Sequence, residues 1–254
     1  MPPKAVIITI DGPAGAGKSS VAKRLAKQLN FAYLDTGAMY RALTLKSLRQ
    51  KINLEDENAL VAMSKQTFLD LKEDAQTGLR VFLDGKDVSN EIRSYDVTNH
   101  TFYIARAPGV RKVMVEWQRE IAVKRNVVVE GRDIGTVVFP KANFKFYLDA
   151  DFNERSRRRI EELRAKGETV DAAVLKLALK DRDTKDLTRK VGPLKKAADA
   201  VYIDSTHLTI DDTVKEIMKH VHVEEKHIAQ DGKTKTKREK QHKKSTPARV
   251  KKRK

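Results

Sequence analysis

The chain has no cysteine among its 254 residues, a single tryptophan, and no apolar run near the length of a membrane span. Without thiols, disulfides and thiolate metal centres are excluded, and a reducing compartment suits the composition. A bilayer-spanning helix needs roughly 18 or more consecutive apolar residues, and no stretch approaches that. The opening MPPKAVIITIDG holds an apolar run of about six residues that leads into a glycine loop, not a cleavage site, so no signal peptide is expected. An Asn-Lys-x-Asp guanine-reading motif is missing too, which counts against a regulatory GTPase. A cytoplasmic enzyme with no membrane partner is the expectation.

Basic charge, by contrast, is abundant. The formal net charge is +17, but it is unevenly spread: residues 222–254 hold thirteen Lys or Arg against four Asp or Glu, a net +9. The remaining +8 belongs to residues 1–221 and suits anionic substrates. Segments such as KTKTKREKQHKK have no apolar period and cannot bury enough surface to offset ordering entropy, so 222–254 reads as a disordered basic tail. Polybasic segments bind nucleic acid in a salt-dependent, sequence-independent way, and a nonspecific RNA or ribosome contact is the matching expectation. The tail has no interleaved aromatics for base stacking.

Ahead of the tail, apolar residues make up 40 % of the chain and charged ones 34 %, enough for a sizeable core. Residues 5–10 form a short β-branched run, the pattern of a strand buried on both faces. In 19–29, Val21, Ala22, Leu25, Ala26 and Leu29 recur at helical spacing. Further short strands are expected at 31–34, 127–129, 144–148 and 201–203. Two more, at 68–71 and 79–83, suggest a hairpin-like insert, with a turn at Asp84-Gly85. Helices are expected from about 38 and at 110–123, 153–166, 170–182 and 211–221, the last capped near Thr209. Trp117 lies on the apolar stripe of the 110–123 helix with Val110, Val113, Met114 and Ile121, so it is expected in the core. Strands alternating with helices imply a parallel α/β sheet covered on both faces.

Between the first strand and the first helix stands Gly12-Pro13-Ala14-Gly15-Ala16-Gly17-Lys18-Ser19, followed by Ser20, which satisfies G-x-x-x-x-G-K-[ST]. Small residues let successive backbone N–H groups curl around a phosphate, and the helix behind adds its positive dipole end. Lys18 reaches the β- and γ-phosphates, and the Ser19 hydroxyl is a Mg²⁺ ligand, which points to ATP and Mg²⁺. The strand–loop–helix context separates this match from a chance glycine turn.

The loop names a nucleotide and not the acceptor. Thr36 and Arg41, in Asp35-Thr-Gly-Ala-Met-Tyr-Arg41, follow the second strand at the carboxyl edge, where open α/β sheets bind ligands. Gly131-Arg132-Asp133 follows the 127–129 strand in the same topological place. Helix 153–166 carries four arginines within five positions, and only two or three of them can face one ligand. His220, His222 and His227 do not have the spacing of a metal set.

With these residues the chain resembles the bacterial-type cytidylate kinases, P-loop nucleoside monophosphate kinases, over nearly everything from Val6 to Val221. The resemblance rests on ITIDGPAGAGKSS, LDTGAMYRA, EIRSYDV, GRDIGTVVFP, NERSRRR and RDTKDLTRKVGPLKKAADA. It implies a three-layer P-loop kinase fold over 1–221, with a monophosphate-binding insert at about 36–110 and a lid at about 152–190. It further implies that Thr36 and Arg41 lie at the acceptor's phosphate, that Arg111 and Asp133 read cytosine with Arg132 alongside, and that Arg182, Asp186 and Arg189 contact sugar and phosphate. Lys18 and the lid arginines Arg155, Arg158 and Arg159 are the implied catalytic set. Where the family carries a serine touching cytosine, this chain has Phe102; the hydroxyl is either missing or supplied by Thr101.

The expected activity is ATP- and Mg²⁺-dependent phosphoryl transfer to CMP or dCMP by a monomer. Transfer to another acceptor such as UMP, or a nucleic-acid-binding protein with a nucleotide switch, are the alternatives.

Overall fold

The computed structural model describes residues 5–74, 78–123, 125–165 and 167–222. The apolar run at the start becomes β1 (Ile7–Asp11), and the loop after it opens into α1 (Lys18–Leu29) and β2 (Ala32–Asp35). Next come α2 (Thr36–Arg49), α3 (Glu57–Lys65) and the strands β3 (Leu69–Asp74), β4 (Gly78–Leu83) and β5 (Lys86–Asp87). Helices α4 (Tyr95–Arg106) and α5 (Pro108–Ala122) lead to β6 (Val127–Gly131) and β7 (Phe144–Asp149). The chain then forms α6 (Phe152–Ala165), α7 (Ala172–Thr188), β8 (Val201–Asp204) and α8 (Ile210–Met218).

β1 is central because it is buried on both faces; its neighbours are β6 and β7, and the sheet order is β2-β6-β1-β7-β8. All four pairings are parallel. Parallel pairing requires crossovers, and the helices that make them cover both faces. On one face, Val21, Leu25 and Leu29 of α1 and Val214 and Ile217 of α8 pack on Ile8, Ile10, Val128, Phe146 and Leu148. On the other, residues of α2, α3, α4 and α5 pack on Leu34, Val127 and Val129. The result is the expected three-layer α/β fold. Truncating a fully buried side chain such as Leu25 would cost about 2–5 kcal/mol.

The insert is larger than the sequence pattern suggested. β3, β4 and β5 make a three-stranded antiparallel sheet whose Val81 and Leu83 pack on Ala38, Ala42 and Leu45 of α2. Asp84 and Gly85, both at positive φ (48° and 81°), turn the chain from β4 into β5. Two helices, α3 and α4, were not expected from the residue pattern. In α4 only Val97, Ile104 and Ala105 are buried, a stripe too thin to register as a period, and in α3 only Leu60, Met63 and Ser64 are. α7 runs six residues past the expected end at 182, to Thr188, because its exposed polar last turns need no apolar stripe. Thr209 caps α8 as expected, its hydroxyl accepting from the Asp212 amide. Trp117 is partly buried against the second core.

No described helix is long and apolar enough to cross a membrane. Of the basic tail expected at 222–254, residues 223–254 lie outside the described residues.

Candidate active site

The carboxyl ends of the sheet strands open onto one cavity of about 1150 Å³. The phosphate-binding loop forms one wall. Gly12 sits at φ +149°, and a Cβ there would stand 1.9 Å from the Leu148 carbonyl oxygen, so the loop leaves β1 against β7 only as glycine. At Gly15, φ is +80° and a Cβ would meet the Arg155 backbone at 2.9 Å, which brings α6 directly under the loop. Gly17 then caps α1 in a left-handed conformation, and the first helical amides face the cavity without side-chain caps.

Lys18 is buried at 5 % exposure, and its Nζ donates to the Pro13 carbonyl at 2.6 Å. Burial lowers its pKa to about 7, helped by Arg132 and opposed by Glu130. An anion placed beside it would restore the ammonium form. The Ser19 hydroxyl donates to Oε1 of Glu130, the carboxylate at the end of β6. Glu130 had no place in the sequence reading. Its only signal was an acid closing a run of buried valines, next to the Gly-Arg-Asp already singled out.

Asp11, at the end of β1, accepts from the amides of Ile134 and Gly135 at 2.8 and 2.7 Å. It thereby pins the single π-helical turn Ile134–Val138 that follows Arg132 and Asp133. Burial pushes its pKa up to about 6 despite those two donors.

Across the cavity, Asp35 caps α2 by accepting from the Ala38 amide at 2.8 Å and pairs with Arg41 at 3.2 Å. Burial opposes ionisation of Asp35, but Arg41 and the Ala38 amide outweigh it and hold its pKa below the usual range. Thr36 donates its hydroxyl to the Glu130 carbonyl at 2.8 Å.

Deeper in, Arg111 is ion-paired to Asp133, and Arg189 reaches the other Asp133 oxygen at 3.3 Å. These residues are 2 %, 4 % and 8 % exposed. Burial raises the Asp133 pKa in spite of both guanidiniums. Arg132 binds Asp186 at 2.8 Å, and Arg182 adjoins them. Burial and then Arg132 lower the Arg182 pKa to about 10. Burial works against the Asp186 carboxylate, yet Arg132 and Arg182 hold its pKa below the ordinary value.

Lys18, Arg41, Arg111, Arg132, Arg182 and Arg189 thus face only Asp35, Glu130, Asp133 and Asp186 among the described lining charges of this half of the cavity. Nε of Arg41 and Nε of Arg111 are buried and lack a hydrogen-bond partner. A cavity with surplus buried cations and spare donors is built for anions.

From α6, Arg157, Arg158 and Arg159 line the cavity. Arg158 donates to the Ser205 carbonyl at 2.6 Å, and Arg159 pairs with Glu162 at 2.7 Å. Arg155, expected among the catalytic arginines, does not line the cavity with them. It lies beneath the loop, donating to the carbonyls of Ala14 and Ala150, both at 3.0 Å, and to Asp183 at 2.5 Å.

Thr98 and Thr101 line the cavity, whereas Phe102 does not. Arg106 and Lys185 lie over its ring at 5.4 and 5.3 Å. The hydroxyl-bearing residues that α4 brings to the cavity are therefore Thr98 and Thr101, whose hydroxyls donate to the carbonyls of Ser94 and Val97 at 2.8 and 2.7 Å.

The donor set suits a hard divalent cation. Mg²⁺ is held by one or two protein oxygens, with waters and substrate phosphates completing its shell, and the Ser19 hydroxyl and Glu130 carboxylate stand together at the loop.

Residues 8–223 match the cytidylate kinase family. The cytidylate kinase of Desulforamulus reducens is 52 % identical over 211 residues, 83 % of this chain and 94 % of that protein. That of Caldanaerobacter subterraneus subsp. tengcongensis is 50 % identical, covering 84 % of this chain and 92 % of the relative. A Geobacillus cytidylate kinase is likewise 50 % identical, covering 84 % and 95 %.

Proposed function

The chain belongs to the cytidylate kinase family, and we propose that it transfers the γ-phosphoryl group of ATP to CMP or dCMP. The observation that carries this reading is the gathering in one cavity of the glycine loop with Lys18 and of Arg41, Arg132 and Arg182. Two polyanions must be brought into line there, and catalysis is mostly positioning and charge neutralisation.

In this reading the loop amides and Lys18 hold the β- and γ-phosphates of ATP. Ser19 and Glu130 hold Mg²⁺, which neutralises charge on the donor phosphates when bound. Arg41, Arg132 and Arg182 grip the acceptor phosphate, and arginine suits this because its planar fork binds phosphate oxygens bidentately.

Arg111 donates and Asp133 accepts at the base. Cytosine offers both a donor, its N4 amino group, and acceptors, so the pair complements it; Thr101 adds a hydroxyl at the same wall. Asp186 and Arg189 adjoin the sugar. Arg158 and Arg159, on α6, neutralise the moving phosphoryl group as the lid closes. No general base is needed, because the attacking phosphate has a second pKa of about 6 and is already ionised. Closure excludes water, which would otherwise compete for the phosphoryl group.

The test is a panel of acceptors at fixed ATP and Mg²⁺. CMP and dCMP should be phosphorylated well above UMP and AMP. Equal rates with all four, or transfer to UMP alone, would reject the reading.

The family match ends at residue 223, and the +9 tail lies beyond it. We read the tail as a separate polyanion contact, an RNA-binding arm appended to the kinase.

A further inference from the structure

Glu130 is held from two sides. The Ser19 hydroxyl donates to its Oε1, and the buried phenol of Tyr33 donates to the same oxygen at 3.1 Å. Neither contact is local in sequence; they span 111 and 97 residues.

The sheet explains the meeting. β2 pairs with β6 in parallel, with Tyr33 opposite Val128 and Asp35 opposite Glu130. Side chains alternate along a strand, so Val128 and Glu130 share a face, and Tyr33 lies on that face too. This is the face α1 covers, so Ser19, at the start of α1, arrives at the same carboxylate. Lys23 of α1 sits over the Tyr33 ring at 5.7 Å and keeps the ring seated beneath it.

A glutamate side chain has three rotatable bonds, and left alone its carboxylate would sample many orientations. Two donors converging on Oε1 select one, at the cavity that Glu130 lines. A serine hydroxyl can donate its proton and still offer its lone pairs to a cation, so the Ser19 contact is compatible with metal binding. We infer that Tyr33 is a positioning residue for the divalent cation, fixing the Glu130 carboxylate through its hydroxyl. This rests on the reading of the site as a Mg²⁺-dependent kinase.

The experiment removes one atom. Tyr33→Phe keeps the ring beneath Lys23 and deletes the donor. Its half-saturating Mg²⁺ concentration in the CMP kinase assay should rise about three- to tenfold, as for the loss of one hydrogen bond of ordinary net strength. KM for CMP should change less than twofold.

Independently of turnover, Mn²⁺ affinity is measured by electron paramagnetic resonance on the enzyme with a non-hydrolysable ATP analogue. It should fall by a similar factor. In a Glu130→Gln background the same substitution should no longer shift Mn²⁺ affinity, because its target is gone.

The inference is overturned if Tyr33→Phe leaves Mn²⁺ affinity unchanged, or if its effect persists undiminished without Glu130. A wild-type protein that binds Mn²⁺–nucleotide but phosphorylates no CMP would instead reject the proposed activity and leave Tyr33 in its role.

Discussion

Arg155 and Asp183 meet at 2.5 Å beneath the phosphate-binding loop, joining α6 to α7 while the same guanidinium nitrogen holds the Ala14 carbonyl. Both side chains are largely buried, at 9 % and 14 % exposure. Removing one partner of such a pair leaves the other's charge uncompensated. Asp183→Ala should therefore lower unfolding free energy by about 3 kcal/mol in urea titrations. Asp183→Asn, which can still accept from Arg155, should cost clearly less. An alanine loss below about 1 kcal/mol would show that the pair contributes little.

Lys18 is the only lysine at the loop, and its ammonium group is proposed to hold the transferred phosphate. Lys18→Met should reduce kcat by roughly 10²–10³, the usual cost of losing one preorganised electrostatic contact. The fold should survive, since the substitution removes a buried charge whose one recorded hydrogen bond is to Pro13. Far-UV circular dichroism and the thermal midpoint check the second half of this expectation.

Asp133 sits between Arg111 and Arg189 and is proposed to read the base. Asp133→Asn should raise KM for CMP by about thirtyfold or more, with KM for ATP changing little, because losing one partner of a buried charged contact costs about 2 kcal/mol or more. Steady-state kinetics with each substrate varied in turn separate the two. A matched rise in both constants would mean that Asp133 supports the cavity as a whole and not the base.

Asp11 predicts a pH signature. Its pKa rises from 3.8 in the unfolded chain to about 6 in the fold, chiefly through burial. A carboxyl whose pKa rises on folding favours the folded state below pH 3.8, and that contribution is lost as pH climbs through 6. The amount is about 3 kcal/mol. Asp11→Asn removes the titration but turns one N–H toward an amide of the 134–135 turn. Relative to wild type, the variant should therefore gain stability between pH 4.5 and pH 7.5, whatever its absolute cost. Urea midpoints at those two pH values decide it; an unchanged gap would put the Asp11 titration elsewhere.

Deleting residues 223–254 should leave CMP kinase activity within about twofold, because those residues lie past the last packed helix and the family match ends at 223. Retention on an RNA column at low salt should disappear with the tail. For the full chain, the logarithm of the affinity should fall linearly with the logarithm of salt concentration. Lost kinase activity would place the catalytic domain's end further along the chain.

Several of these features were legible in the residues alone. The strand–loop–helix around Gly12 to Ser19 is a local object, and β-branched periodicity, glycine spacing and helical spacing all lie within about two dozen residues. β1 and α1 followed from that pattern, and so did the basic cast of the site. The arginines and aspartates after β2 and β6 were visible for the same reason, since each sits just past a strand end. α4 was not, because its buried stripe is three residues thin and its remaining faces are occupied by Thr98, Thr101 and other polar groups.

What the residues could not say was which carboxylate goes with which donor. Glu130 meets Ser19 and Tyr33 only because β6 pairs with β2 on one side and α1 covers that face. Arg155 meets Ala14 across 141 residues and Asp183 across 28. Thr101 faces the cavity while its neighbour Phe102 turns to Lys185, a choice made by how α4 packs. Local spacing determined where the phosphate-binding loop lies, because a strand, a glycine loop and a helix in succession form a local object. Tertiary packing decided which side chains stand free for the ligand and which are spent holding the site, because pairing charges from distant strands depends on their register.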